Sequence, residues 1–121
     1  MIPHPWNDDY LIELMDDGSV CVISVSKQRI VKTFKSKYGK IYGIPEILAL
    51  CDEEAGEFIL LVCDGFLEQP WRVFSSATDT WTEMDWPSTK GATRTSFVDP
   101  ATNNIYCHIN REYHWTCLKL P

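Results

Sequence analysis

The chain has 121 residues, of which 45% are apolar and 23% charged, and its 17 Asp and Glu against 11 Lys and Arg give a net charge of −6. This balance is typical of one folded, soluble domain, and it excludes a disordered, collagen-like or disulfide-dense chain. The acidic excess argues against direct nucleic-acid binding, and no uncharged stretch approaches the roughly 20 residues of a membrane-spanning helix.

The first third of the chain predicts a three-stranded meander. Residues 10–15 alternate in a strand-like pattern and lead into Asp16-Asp17-Gly18, where Asp-Gly is typical of a tight hairpin turn. Residues 20–25 read as the second strand. After a polar tip at 26–28, residues 29–34 read as the third.

The next segment, 44–56, has features of both a helix and a strand. Pro45 could begin a short helix and Gly56 could end it. The strongly apolar run at 57–63 follows at once, which favours a hairpin of 47–51 with 58–63. Because these runs are almost continuously apolar, we expect both of their faces to be buried.

The rest of the chain continues as short strands separated by turns. Residues 71–75 and 80–84 flank a turn at 76–79, and residues 94–98 and 105–109 flank a turn at 99–104. A loop at 110–112 would place Cys107 on the same face as Trp115 and Cys117 in a last strand. The sequence therefore predicts one all-β domain over residues 1–121, with about ten short antiparallel strands in three meander units.

Two of these units end in the same motif. Residues 81–87 and 115–121 both read W-T-x-x-x-[W/L]-P, at an offset of 34 residues, and the hairpin at 20–34 is a looser copy. Self-similarity at such a period is typical of repeat architectures.

Residues 73–84 (V-F-S-S-A-T-D-T-W-T-E-M) and 97–106 (F-V-D-P-A-T-N-N-I-Y) resemble β-propeller blades of the kelch and F-box-associated type. The resemblance covers residues 42–121, without the Gly-Gly doublet typical of kelch blades. Propellers close with about four to eight blades, more than the three units counted. Two interpretations therefore stay open: a compact sandwich or barrel, or part of a propeller, either a fragment of a longer protein or completed by self-association into a homo-oligomer.

The residue types that bind metals or perform catalysis do not form a recognisable motif. Cys107, His108, His114 and Cys117 cluster in sequence, but the predicted register places His108 and His114 on the face opposite the two cysteines, so the four cannot share one zinc ion. Nucleophile and phosphate-binding motifs are absent from the sequence. We expect a non-catalytic protein without cofactor or metal, with His108 and His114 as weak metal candidates.

The tryptophans and the charge blocks suggest a contact surface. Trp81 and Trp115 recur at equivalent positions and predict structural roles, whereas the other three lie beside prolines and predict contacts with a partner. Six of the 11 basic residues fall within 27–40, and seven acids without any Lys or Arg lie within 46–68. The predicted partner-binding residues are Trp6, Trp71, Trp86, Asp52, Glu53, Glu54 and Glu57.

The sequence thus predicts a protein–protein interaction module. Its acidity suggests a sharper hypothesis, an inhibitor or adaptor acting on a larger nucleic-acid-handling host complex. Two alternatives are a carbohydrate or small-ligand binding protein that uses loop tryptophans, and a carboxylate-dependent hydrolase. Five cysteines without a C-x-x-C pair, and no secretory signal, predict an intracellular, cytoplasmic protein.

Overall fold

The described part of the chain consists of short antiparallel strands joined by turns. The computed structural model describes residues 1–41, 45–63, 71–84, 94–99, 101–109 and 116–118. The strands in these ranges are β1 (Ile2–Pro3), β2 (Tyr10–Leu14), β3 (Val20–Ser24), β4 (Arg29–Thr33), β5 (Glu46–Asp52), β6 (Glu57–Cys63), β7 (Trp71–Ser75), β8 (Thr80–Met84), β9 (Arg94–Asp99), β10 (Asn104–Ile109) and β11 (Thr116–Leu118). The all-β class is confirmed, and the described ranges contain no helix that could cross a membrane.

Each of three sheets is built from strands that are consecutive along the chain. The N-terminal sheet has the order β1-β2-β3-β4, the central sheet β5-β6-β7-β8, and the C-terminal sheet β11-β10-β9. Within the described ranges none of the sheets closes into a barrel. The prediction of three meander units is therefore confirmed.

The segment that could have been a helix is a strand. Residues of β5 pair in register with β6, for example Leu50 with Ile59 and Ile47 with Val62. Pro45 stands just before the strand, where the missing amide hydrogen does not break the ladder. The predicted hairpin is therefore confirmed. A strand is favoured here because β6 offers apolar side chains on both of its faces.

The central sheet is buried on both faces and carries most of the core. On one face, Phe58, Leu60, Val62 and Phe74 pack with side chains of the N-terminal sheet. On the other face, a second cluster joins the central sheet to Ile105 of the C-terminal sheet; its central-sheet members are Leu48, Leu50, Leu61 and Trp71. Burial of each large apolar side chain is worth about 1.5–3 kcal/mol, so the central sheet holds the two outer sheets in place.

One outer turn of the central sheet also fixes the chain between β4 and β5. In the Asp79 turn (residues 76–79), the Asp79 carboxylate accepts hydrogen bonds from the backbone amides of Lys35 and Ser36, both at 3.0 Å. The Trp81 indole donates to the Ser36 carbonyl at 3.3 Å. These bonds tie the N-terminal and central sheets together at the outer turn, beyond the contacts of the core.

The turns show a structural repeat. Four residues with positive φ, between 52° and 65°, each stand directly before a strand: Gln28 before β4, Gly56 before β6, Asp79 before β8 and Asn103 before β10. A left-handed residue at the end of a short loop directs the chain back into the next strand of a hairpin. These four hairpin turns therefore share the backbone conformation of their last residue.

The register of the last pair of strands differs from the prediction. Cys107 is paired with Thr116, and Tyr106 with Cys117. The prediction that Cys107 and Cys117 share a face was therefore wrong, because a register shifted by one residue gives them positions on opposite faces. The predicted loop at 110–112 lies outside the described residues.

Candidate functional site

Four of the predicted partner-binding residues lie on one hairpin, which we call the acidic turn: Asp52, Glu53, Glu54 and Glu57. Asp52 ends β5 and Glu57 begins β6, while Glu53 and Glu54 are exposed between them. Gly56 closes the turn with φ at 65°, a backbone conformation that glycine adopts without strain. The sequence order alone therefore concentrates four carboxylates at one end of the β5–β6 hairpin.

Trp6 lies against this turn, although it is far from it in sequence. Its indole N–H donates to the backbone carbonyl of Glu57, and 46% of the residue stays exposed. The hydrogen bond fixes one edge of the ring and leaves the rest of its surface to solvent. The structure therefore brings together Trp6 and the acidic turn, two features that the sequence predicted separately.

His4 holds the loop that carries Trp6. Its Nδ1 atom accepts hydrogen bonds from the backbone amides of Trp6, at 3.0 Å, and Asn7, at 3.2 Å. The ring meets Tyr10 and Phe58 edge-on, with centroids 5.8 Å and 5.3 Å away. Because Nδ1 accepts, the imidazole must be neutral with its proton on Nε2. Burial lowers the pKa of His4, and the negative charge of Glu57 partly opposes this.

The acidic turn is also held from the side of the C-terminal sheet. The Asn103 side chain accepts from the Cys51 amide at 3.1 Å and donates to the Cys51 carbonyl at 2.8 Å. These two bonds continue the hydrogen-bonding pattern of a sheet at the free edge of β5. The base of the turn is therefore rigid, although its tip is exposed.

In the described part of the chain, the basic residues within 27–40 do not form ion pairs with the carboxylates of the acidic turn. Among the described residues, Lys37 pairs with Asp17 at 3.2 Å, and no Lys or Arg pairs with a carboxylate of the acidic turn. Glu57 instead accepts from the Ser76 hydroxyl at 2.8 Å. The turn therefore presents a net negative potential beside an exposed aromatic ring.

One of the three predicted contact tryptophans, Trp71, is not found at this surface. Trp71 lies in β7 with none of its surface exposed. Strand alternation points it toward the C-terminal sheet, where it packs in one cluster with Ile105. The prediction of an exposed contact at Trp71 was therefore wrong. Trp86 lies outside the described residues.

The weak metal candidates gain no support. His108 lies in β10, and His114 is outside the described residues. Across the described ranges, no group of three or more His, Cys, Asp or Glu side chains could hold a metal ion.

A cleft beside Trp6 was not predicted from the sequence. It has a volume of about 250 Å³ and opens between the N-terminal and central sheets, where His4, Lys32 and Glu57 line it together with aromatic side chains. His4 carried no signal in the sequence, because its neighbours Tyr10 and Phe58 belong to different strands. Lys32 in β4 and Phe34 just after it stand two residues apart, and this spacing is a pattern that could have indicated the cleft.

Comparison with protein-family models, with curated proteins and with solved structures found no match for this chain.

Proposed function

We propose that this chain is a non-catalytic protein-binding module whose contact surface is formed by Trp6 and the acidic turn. The observation that carries the proposal is the bond from the Trp6 indole to the Glu57 carbonyl, which holds a half-exposed ring against the acidic turn. Aromatic side chains held rigidly at the surface are typical of binding hot spots. The uncompensated charge beside the ring adds orientation and a faster encounter.

The partner that fits this surface has a basic patch. Proteins that handle nucleic acids expose Lys and Arg to meet phosphates, so an acidic module of this kind suits an inhibitor or adaptor of such a complex. Cys21 and Cys51 are free thiols, in keeping with action in the reducing cytoplasm.

The stacking of the sheets supports the partial-propeller interpretation as part of the same proposal. Consecutive antiparallel meanders packed face to face are the units from which propellers are built. Three such sheets would need a second copy or a further segment to close a ring. Light scattering tests the second copy, and a strictly monomeric mass would contradict ring completion by self-association.

Sugar binding is the weaker function. It relied on stacking of a ring against Trp71 or Trp86, and burial removes Trp71 as a stacking platform.

Affinity capture from lysate of the cells that express the protein tests the proposed function. The variants are Trp6→Ala and the double reversal Glu53→Lys with Glu54→Lys. The matched control is Asp16→Lys with Glu83→Lys, which reverses two exposed acids elsewhere and changes the net charge equally. We expect the proteins captured by wild type and control to be lost from both contact-surface variants. Unchanged capture by those variants would contradict the proposal.

A further inference from the structure

Apolar side chains form part of the lining of the cleft between the N-terminal and central sheets. Tyr10, Phe34 and Phe58 line it, with Val22 and Val31 between them. The rings of Phe34 and Phe58 meet edge-to-face, with centroids 5.8 Å apart. Such rings are locked by packing, so the interior is preformed before anything binds.

The two lips of the cleft carry opposite charges. Lys32, on the N-terminal sheet, is exposed, and its ammonium lies over the Phe34 ring, 4.7 Å from the centroid. Glu57, on the central sheet, is held by the Ser76 hydroxyl. Among the described residues these two lips are not joined by an ion pair. A cation and an anion therefore remain available on opposite sides of an aromatic interior.

The size of the cleft indicates the kind of occupant. Its volume, about 250 Å³, falls below the roughly 300–1,000 Å³ of most small-molecule sites. It matches one large side chain instead. The lips suit the polypeptide that carries this side chain, because Lys32 can donate to a backbone carbonyl and Glu57 can accept from a backbone amide.

The cleft and the acidic turn share Glu57, whose backbone carbonyl also binds Trp6. A polypeptide seated in the cleft would therefore pass the uncompensated carboxylates of the turn. We infer that the cleft receives one large apolar or aromatic side chain of a partner polypeptide, flanked in that polypeptide by Lys or Arg that face the acidic turn. This inference rests on the proposed function and names the chemistry of its partner.

Selection from a displayed library of short randomised peptides on the full chain tests the inference. We expect enriched peptides to carry one large apolar residue next to basic residues. Val31→Phe, which fills the cleft, should weaken the best peptide by about tenfold or more. Ile30→Phe is the matched control, since Ile30 is the preceding residue of the same strand, is 50% exposed and does not line the cleft. It should leave the affinity unchanged.

A second measurement uses the wild-type chain and therefore does not require any variant to fold. In the wild-type chain, NMR contacts should join the apolar side chain of the selected peptide to the rings of Tyr10 and Phe58. Two outcomes would overturn this inference and leave the proposed function standing. In one, the enriched peptides are basic and depend on Glu53 and Glu54 but share no apolar position. In the other, the NMR contacts of the peptide lie outside the cleft. Enrichment that is indifferent to reversal of Glu53 and Glu54, or no enrichment, would overturn both.

Discussion

The acidic turn and the Asp79 turn have the same backbone ending but different uses. Both finish with a left-handed residue, Gly56 or Asp79, and both join neighbouring strands of the central sheet. At the Asp79 turn the carboxylate is satisfied by the amides of Lys35 and Ser36. At the acidic turn, Glu53 and Glu54 extend into solvent. A turn with this ending is therefore held in place where a neighbouring segment supplies donors, and its tip stays exposed where, among the described residues, none does.

The largest expected effect on stability concerns the core residues beneath the two turns. Here we expect the two regions to behave alike. Phe58 follows the acidic turn and Phe74 precedes the Asp79 turn, and both are at most 1% exposed. Replacement of either by Ala leaves a cavity and should lower the free energy of unfolding by about 3–5 kcal/mol, measured by chemical denaturation. Ile30→Ala, at a half-exposed site, is the control and should change it little. A small change in the free energy of unfolding at only one Phe would show that the core beneath that turn is less tightly packed.

The second effect separates the turns. Asp79→Ala removes the acceptor for two backbone amides and introduces a residue that disfavours positive φ, so it should lower the denaturation midpoint clearly more than Glu54→Ala. Equal midpoints for the two variants would remove the structural role of Asp79.

The pH dependence sharpens the same contrast. Hydrogen bonds from Ser36 and Lys35 hold the pKa of Asp79 below its ordinary value of 3.8. Its contribution to stability is therefore complete above that value and is lost as the pH falls through the lower pKa of the folded state. Asp79→Asn should therefore flatten the acid limb of the stability profile relative to wild type.

A smaller effect is expected at the loop that carries Trp6. Because burial lowers the pKa of His4 below its ordinary 6.5, the unfolded chain binds the proton more readily. The stability from neutral His4 is full above 6.5 and declines as the pH falls toward the lower folded pKa. Protonated Nδ1 cannot accept from the amides of Trp6 and Asn7, so the NMR signal of the Trp6 indole should shift in this range. A signal that stays constant through it would contradict the role of His4.

The sequence allowed the strands to be predicted because their signal is local. Alternation and turn residues placed β2 to β10, whereas β1 has two residues and shows no period. Exposure could not be predicted at Trp71, since it depends on which sheet packs on that face. The contact of Trp6 with Glu57 joins residues 51 positions apart, and the β10–β11 register depends on loop length. Long-range contacts of this kind have no local pattern, and the candidate site is made of them.

The smallest effect on stability should accompany a large effect on binding. Trp6→Phe removes the indole N–H and makes a half-exposed ring smaller, so the free energy of unfolding should fall by only about 1 kcal/mol. Without that bond the ring is no longer fixed beside the acidic turn, and the affinity for a selected peptide should drop about tenfold. Calorimetry compares the peptide affinity of this variant with that of Trp81→Phe. In the wild-type chain the Trp81 indole donates to the Ser36 carbonyl near the Asp79 turn. Loss of affinity in the Trp81 variant alone would place the binding surface at the Asp79 turn, because only there would the ring then matter to a partner.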